Sequence, residues 1–134
     1  MEQEKSNSTG TKTKKILCIE DEYFIGELYD RALTKAGYEV KTVIDGDEGL
    51  KEAQTNQYDI ILLDLMVPNM TGMDILKYLR DPKQTPNFHS KIIITTNLEQ
   101  REEVRASIEK QADGYLVKAD ITPHELVDIL SKIN

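Results

Sequence analysis

Seven side chains of this 134-residue chain could share one piece of chemistry. They are Glu20, Asp21 and Glu22 in "EDE", Asp64 in "LLDL", Thr95 and Thr96 in "ITT", and Lys118 in "LVKA". Each follows or ends a short apolar run. Asp64 poses the sharpest question, because Ile60 to Leu63 run straight into it. A carboxylate at the end of so apolar a strand is costly to bury unless something pairs with it. If the groups converge, their acids repel: two unit charges 4 Å apart cost roughly 4 kcal/mol at an effective dielectric near 20. A cation relieves this. Oxygen donors with no His or Cys beside them select a hard ion, Mg²⁺ or Mn²⁺. Magnesium commonly completes its shell with phosphate. Lys118 adds a second positive charge and Thr96 a hydroxyl donor. Together they would stabilise the equatorial oxygens of a phosphoryl group in transfer. Asp64 then becomes a nucleophile that forms an aspartyl phosphate.

Such convergence needs a scaffold, and the apolar pattern describes one. "KILCI" (15–19) reads as a first strand. "YFIGELYDRALTKAG" (23–37) is an amphipathic helix, with Phe24, Leu28, Ala32 and Ala36 spaced by four and Gly37 at its C′ position. "YEVKTV" (38–43) alternates and carries charge, as an edge strand does. Asp45 caps a short helix that runs to Ala53. "YDIILL" (58–63) is the third strand, "GMDILKYLR" (72–80) a helix with Ile75, Leu76 and Leu79 on one face, and "KIIITT" (91–96) the fourth strand. "LEQREEVRASIEKQ" (98–111) is a polar helix anchored by Val104 and Ile108. "GYLVK" (114–118) is the fifth strand. "TPHELVDILSKI" (122–133) is the last helix, with Thr122, Pro123 and Glu125 forming a capping box.

Strict alternation of strand and helix implies a parallel sheet covered on both faces and joined by right-handed crossovers. Strands one, three and four are the most apolar and belong at the centre. Strand two belongs at an edge. The fold class is α/β, a flavodoxin-like (βα)5 three-layer sandwich with strand order 2-1-3-4-5. Sites in such sheets lie beyond the carboxyl ends of the strands, where the seven side chains fall.

Composition narrows the function classes. A net charge of −7 argues against a nucleic-acid surface. No apolar run approaches the ~20 residues of a membrane span. Residues 1–13 read as a disordered polar tail without the apolar core of a secretory signal. The single cysteine, Cys18, excludes an internal disulfide and fits a reducing cytoplasm. Within "ILCI" it reads as a small core residue. His89 and His124 lack metal-ligand spacing and are expected to face solvent.

Across residues 14–134 the chain resembles a response-regulator receiver domain of two-component signalling, chemotaxis regulators included. The resemblance rests on "ILCIEDE", "DIILLDLMVPNMTGMDIL", "IIITT" and "GYLVKA" in that order. It implies that Asp64 is the phospho-acceptor and that Glu20 and Asp21 are the acidic pair, with Asp21 ligating the metal directly and Glu20 through water. It implies that the Met66 backbone carbonyl is a further ligand, Thr96 the switch hydroxyl, Tyr115 the switch aromatic and Lys118 the lysine of the site. Thr95 competes with Thr96 for its role. Pro68 and Gly72 fit the loop after the acceptor, where Gly72 lets the chain turn.

Two positions depart from the family pattern. Ala119 stands where proline is usual, so the bond before it is expected to be trans. Asn97 stands where a small residue is usual. A flavin carrier of this fold would need a Ser/Thr/Gly-rich loop after strand one, where this chain has "EDEYFIGE". A dehalogenase-type phosphatase would need an aspartate at Met66.

The resemblance further implies a signalling switch rather than an enzyme. The donor would be a histidine kinase or phosphotransfer protein. The output would be an unidentified partner read by helix four, strand five and helix five. The chain would be monomeric or a phosphorylation-dependent dimer through that face, without nucleic-acid or membrane contact. A receiver belonging to a longer DNA-binding regulator or hybrid kinase, and a phosphate-independent pseudo-receiver, are the alternatives.

Overall fold

The computed structural model describes residues 13–133. The tail expected over residues 1–13 therefore lies, apart from Thr13, outside the described residues. The elements are β1 (Lys15–Ile19), α1 (Tyr23–Lys35), β2 (Glu39–Val43), α2 (Gly46–Ala53), β3 (Ile60–Asp64), α3 (Gly72–Arg80), β4 (Lys91–Thr96), α4 (Glu102–Gln111), β5 (Gly114–Val117) and α5 (Pro123–Ser131). A 3-10 turn, Lys118–Asp120, joins the last two. The sheet is parallel throughout, in the order β2-β1-β3-β4-β5. This is the flavodoxin-like order the apolar pattern implied, with the charged β2 at one edge.

The central strands are buried on both faces, and period-2 alternation divides their side chains between two cores. Ile16, Cys18, Ile60, Leu62 and Ile93 face Tyr29 and Leu33 of α1 and Leu126 and Leu130 of α5. Leu17, Ile19, Ile61, Leu63, Ile92 and Ile94 face Ile75, Leu76 and Leu79 of α3 and Ile108 of α4. Full burial of such a side chain contributes about 1.5–3 kcal/mol. On that scale α3, with three, is held far more firmly than α4, whose one buried residue is Ile108. Val104 packs beside it, half-buried. The polar helix expected from "LEQREEVRASIEKQ" is thus the most weakly anchored of the larger helices, and it follows the end of β4.

Helix termini follow their chemistry. Asp45 accepts from the Glu48 amide at 2.9 Å, and Thr71 from the Asp74 amide at 3.2 Å. At α5 the full capping box forms: Glu125 N–H donates to Thr122 Oγ1 at 3.0 Å and Thr122 N–H to Glu125 Oε1 at 2.8 Å. Gly37, at φ 105°, closes α1. Its amide donates to Thr34 O and the Tyr38 amide to Leu33 O, both at 3.0 Å.

Three expectations need correction. The buried face of α1 is Gly26, Tyr29 and Leu33, not the row through Phe24, Leu28, Ala32 and Ala36; Phe24 is exposed. Two i+4 rows run along this helix. The row turned inward is Ile25, Tyr29 and Leu33, whose side chains pack with Cys18, Leu62 and Leu126. Helix α4 begins at Glu102 rather than residue 98. The Leu98 carbonyl, which a helix would need, instead accepts from the Thr96 and Gln100 side chains. Gly72 is required for space rather than for a special backbone angle: a Cβ there would sit 2.5 Å from the Asp64 carbonyl oxygen. The Lys118–Ala119 bond is trans, and no cis peptide occurs among the described residues. His89 and His124 are exposed. No described helix is long and apolar enough to cross a membrane.

Candidate functional site at the carboxyl edge of the sheet

Strand register builds the site. Ile19 pairs with Leu63, so Glu20, one residue on, flanks Asp64. Asp64 pairs with Thr95, and Thr96 with Val117, so Lys118 emerges just beyond. Neighbouring strands lie about 4.8 Å apart, which sets the spacing of these groups before any side chain is placed. The loop after β3 is then folded back over the rim. The Leu65 amide donates to Thr95 O, Gly72 N–H to Leu65 O and Gly46 N–H to Pro68 O. Asn69 takes φ 73° to complete the bend.

Glu20, Asp64 and Lys118 are 2 %, 1 % and 8 % exposed, so three charges sit almost out of water. Lys118 Nζ lies 2.6 Å from Glu20 Oε1 and donates to Asp64 Oδ2 at 2.9 Å. Glu22 stands 3.5 Å away at the mouth. Glu20 Oε2 accepts from Glu22 N–H at 3.1 Å, and Asp64 Oδ1 from Met66 N–H at 3.0 Å. The Lys118 contact with Glu20 Oε1 is an ion pair without hydrogen-bond alignment, so that oxygen keeps an unused acceptor site. Burial and the Asp64 charge push the Glu20 carboxyl up to about 7, against the opposing pull of Lys118. Burial also works against the Lys118 ammonium, but its ion pair with Glu20 and its bond to Asp64 outweigh that and hold its pKa above the ordinary lysine value.

Glu20, Asp21 and Asp64 each offer one carboxylate oxygen within 4.8 Å of the others. Octahedral Mg²⁺ holds its donors at 2.0–2.1 Å, so opposite ligands span about 4.2 Å. Adjacent ligands would lie about 2.9 Å apart, so binding an ion would draw these carboxylates closer together. The all-oxygen donor set and the unused Glu20 oxygen fit a hard divalent cation.

The structure thus brings together Glu20, Asp21, Asp64 and Lys118, with Met66 at the rim. Thr96 lies one strand over and is not bonded to Asp64: its Oγ1 donates to Leu98 O at 3.0 Å and accepts from Gln100 Nε2 at 3.1 Å. Thr95 is also buried, with its backbone in the ladder opposite Asp64. Tyr115 is farther out. Its phenol accepts from Gln100 N–H at 2.9 Å and donates to Glu99 Oε1 at 3.0 Å, while the Arg105 guanidinium sits 4.6 Å from its ring centroid. Sequence reasoning missed Glu99, Gln100 and Arg105, whose polar side chains carry no motif. It also missed a set of exposed apolar side chains in the segments that follow β1 to β4. Tyr23, Phe24, Ile44, Met66 and Leu98 are all exposed, from 59 % at Ile44 to 78 % at Tyr23. Ile44, Met66 and Leu98 lie within two residues of a strand end and Tyr23 and Phe24 open α1, a pattern visible only once the strands are placed.

A doubly wound parallel sheet with buried acids and a lysine at its carboxyl edge defines an α/β module whose site lies beyond the strand ends. Residues 16–131 match the response regulator receiver domain family, and the chain belongs to it. Receiver domains of this family are signalling switches of two-component systems. The chain is 37 % identical over 119 residues to the response regulator ArlR of Staphylococcus saprophyticus, covering 89 % of this chain and 50 % of that protein. It is 36 % identical over 118 residues to ArlR of Staphylococcus aureus. The chain spans about half the length of these curated relatives. Among solved structures, the chemotaxis response regulator CheY4 of Vibrio cholerae superposes with a TM-score of 0.78 at 31 % identity, over 92 % of this chain and all of that one. The BeF3-activated N-terminal receiver domain of Klebsiella pneumoniae RstA superposes with a TM-score of 0.75 at 27 % identity, over 88 % of this chain and 96 % of that one.

Proposed function

We propose that Asp64 accepts a phosphoryl group from a phosphohistidine on a kinase or phosphotransfer protein, and that the new charge resets the α4–β5–α5 face. The supporting observation is the buried triad, with Lys118 Nζ 2.9 Å from Asp64 and 2.6 Å from Glu20, beside a cluster of three carboxylates whose oxygens lie within 4.8 Å of one another. An Asp64 oxygen attacks phosphorus, the P–O bond forms as the P–N bond breaks, and the histidine nitrogen leaves with its electron pair. Glu20, Asp21, Asp64 and the Met66 carbonyl would hold Mg²⁺, which would neutralise phosphoryl oxygens. Lys118 would exchange part of its pairing with Asp64 for the phosphoryl oxygens, because that group adds about −1.5 to −2 charge. Thr96 would turn its hydroxyl to the same group and Tyr115 would move with it.

The acceptor is buried, so a donor must approach from the rim. The exposed apolar side chains of Tyr23, Phe24, Ile44, Met66 and Leu98 suit a protein donor carrying its own apolar surface. The chain acts in the cytoplasm, where such donors are phosphorylated. It assists its own phosphorylation and dephosphorylation but turns over no free substrate as its purpose.

Intact mass after incubation with acetyl phosphate and Mg²⁺ tests this. The parent should gain one phosphoryl group. Asp64→Asn, or chelation of the metal, should abolish the gain. Labelling that persists in Asp64→Asn would overturn the assignment of the acceptor. A cognate kinase that leaves the folded, Mg²⁺-binding parent unlabelled would favour a phosphate-independent switch.

A further inference from the structure

The Thr96 hydroxyl has one proton, and it is committed to the Leu98 carbonyl. Its oxygen accepts from Gln100 Nε2, which also reaches Leu98 O at 3.0 Å. Both amide hydrogens of Gln100 are thereby used. The backbone N–H of the same residue donates to the Tyr115 phenol at 2.9 Å. Next to it, Glu99 accepts from that phenol, and Arg105 both stacks on the Tyr115 ring and binds the two Glu99 oxygens at 3.2 and 3.1 Å. One residue therefore grips Thr96 with its side chain and Tyr115 with its backbone, across the segment that delays the start of α4.

We propose that Gln100 is a positioning residue of the switch, a strap that holds the Thr96 hydroxyl away from Asp64 and the Tyr115 phenol at the surface in the unphosphorylated state. The proposal rests on the phosphoryl-switch reading above. For Thr96 to donate to a phosphoryl oxygen, its proton must leave Leu98 O, and Gln100 then loses one of its two side-chain acceptors. The released segment is the one that anchors Tyr115. Because α4 has a single fully buried anchor, the segment meets little resistance on its far side.

Beryllofluoride with Mg²⁺ serves as the probe, because it mimics the phosphoryl group on an aspartate without a covalent step. Its affinity is measured for the parent, Gln100→Ala, Gln100→Glu and Tyr115→Phe, each first shown to unfold cooperatively. Gln100→Glu keeps the shape but replaces the donors with acceptors, so it tests the strap even where the alanine variant folds poorly. Removing the strap should tighten beryllofluoride binding about fivefold, equivalent to about 1 kcal/mol at 1.4 kcal/mol per decade. In the metal-free, probe-free variants the Thr96 methyl resonance should move toward its position in the loaded parent. The effects of Gln100→Ala and Tyr115→Phe should be less than multiplicative when combined, since both open one strap. Unchanged or weaker affinity in both Gln100 variants, with an unmoved Thr96 resonance, would overturn the strap while leaving the switch intact. A parent that takes up no beryllofluoride with Mg²⁺ would overturn the switch reading, and the strap with it.

Discussion

Replacing Lys118 by methionine removes the cation from a pocket where Glu20 and Asp64 are 2 % and 1 % exposed. The methionine fills much of the volume, so the loss is electrostatic rather than a cavity. Breaking a buried pair by deleting one partner costs about 3–5 kcal/mol when the survivor stays charged. The pocket has a cheaper response, which is for one carboxyl to stay protonated. An ordinary glutamate titrates at 4.5, and Glu20 is already at about 7 with Lys118 in place. Holding it neutral at pH 7 costs about 3.4 kcal/mol, the 2.5-unit gap at 1.36 kcal/mol per unit. The parent already carries most of that cost, because burial holds its own Glu20 near the midpoint at that pH, so the loss falls mainly on Asp64, which gives up its 2.9 Å bond to Lys118. Loss of that charged hydrogen bond sets the expected change at about 1.5–3 kcal/mol, which a domain with a stability of about 5–15 kcal/mol survives. Urea unfolding at pH 7.5 without divalent metal, followed by circular dichroism, measures it as a lower midpoint at unchanged slope. Adding Mg²⁺ should restore more stability to Lys118→Met than to the parent, because the variant's cluster lacks any other counter-charge. A metal-free variant as stable as the parent would refute the idea that these three charges stabilise one another.

Two further substitutions probe the scaffold. Gly72→Ala would place a Cβ 2.5 Å from the Asp64 carbonyl oxygen and 2.7 Å from Leu65 Cα, so α3 must shift away from the end of β3. The expected cost is about 3 kcal/mol, seen as a fall of roughly 10 °C in Tm, and an unchanged Tm would show that the loop yields freely. Cys18 is buried, and that burial, with the nearby Glu20 charge, pushes its thiol up to about 12. At pH 8 about one molecule in 10⁴ is thiolate, so a disulfide reagent should modify the native chain about a thousandfold more slowly than the urea-unfolded chain; comparable rates would mean that β1 opens readily.

The parts of this molecule that obey backbone periodicity were legible in the sequence. The apolar runs place β1, β4 and α3 at 15–19, 91–96 and 72–80, where they are observed. Glu20, Asp64 and Lys118 follow from one rule, that parallel strands deliver their last residues to one edge, and the register of the central strands then brings them within bonding distance. The face of α1 was not legible, because two apolar rows share the four-residue spacing. What decides between them is the packing of Tyr29 and Leu33 against side chains from β1, β3 and α5, which the helix's own pattern does not contain. The start of α4 was not legible for a different reason. Helix propensity favours extending it to residue 98, but Thr96 and Gln100 compete for the Leu98 carbonyl, and the outcome depends on a tyrosine delivered by another strand. Competition of that kind leaves no periodic trace. It is also where a switch has to be built, since a segment held by a few side-chain hydrogen bonds can be reset by one new charge, whereas β3 and β4, locked by apolar burial on both faces, cannot.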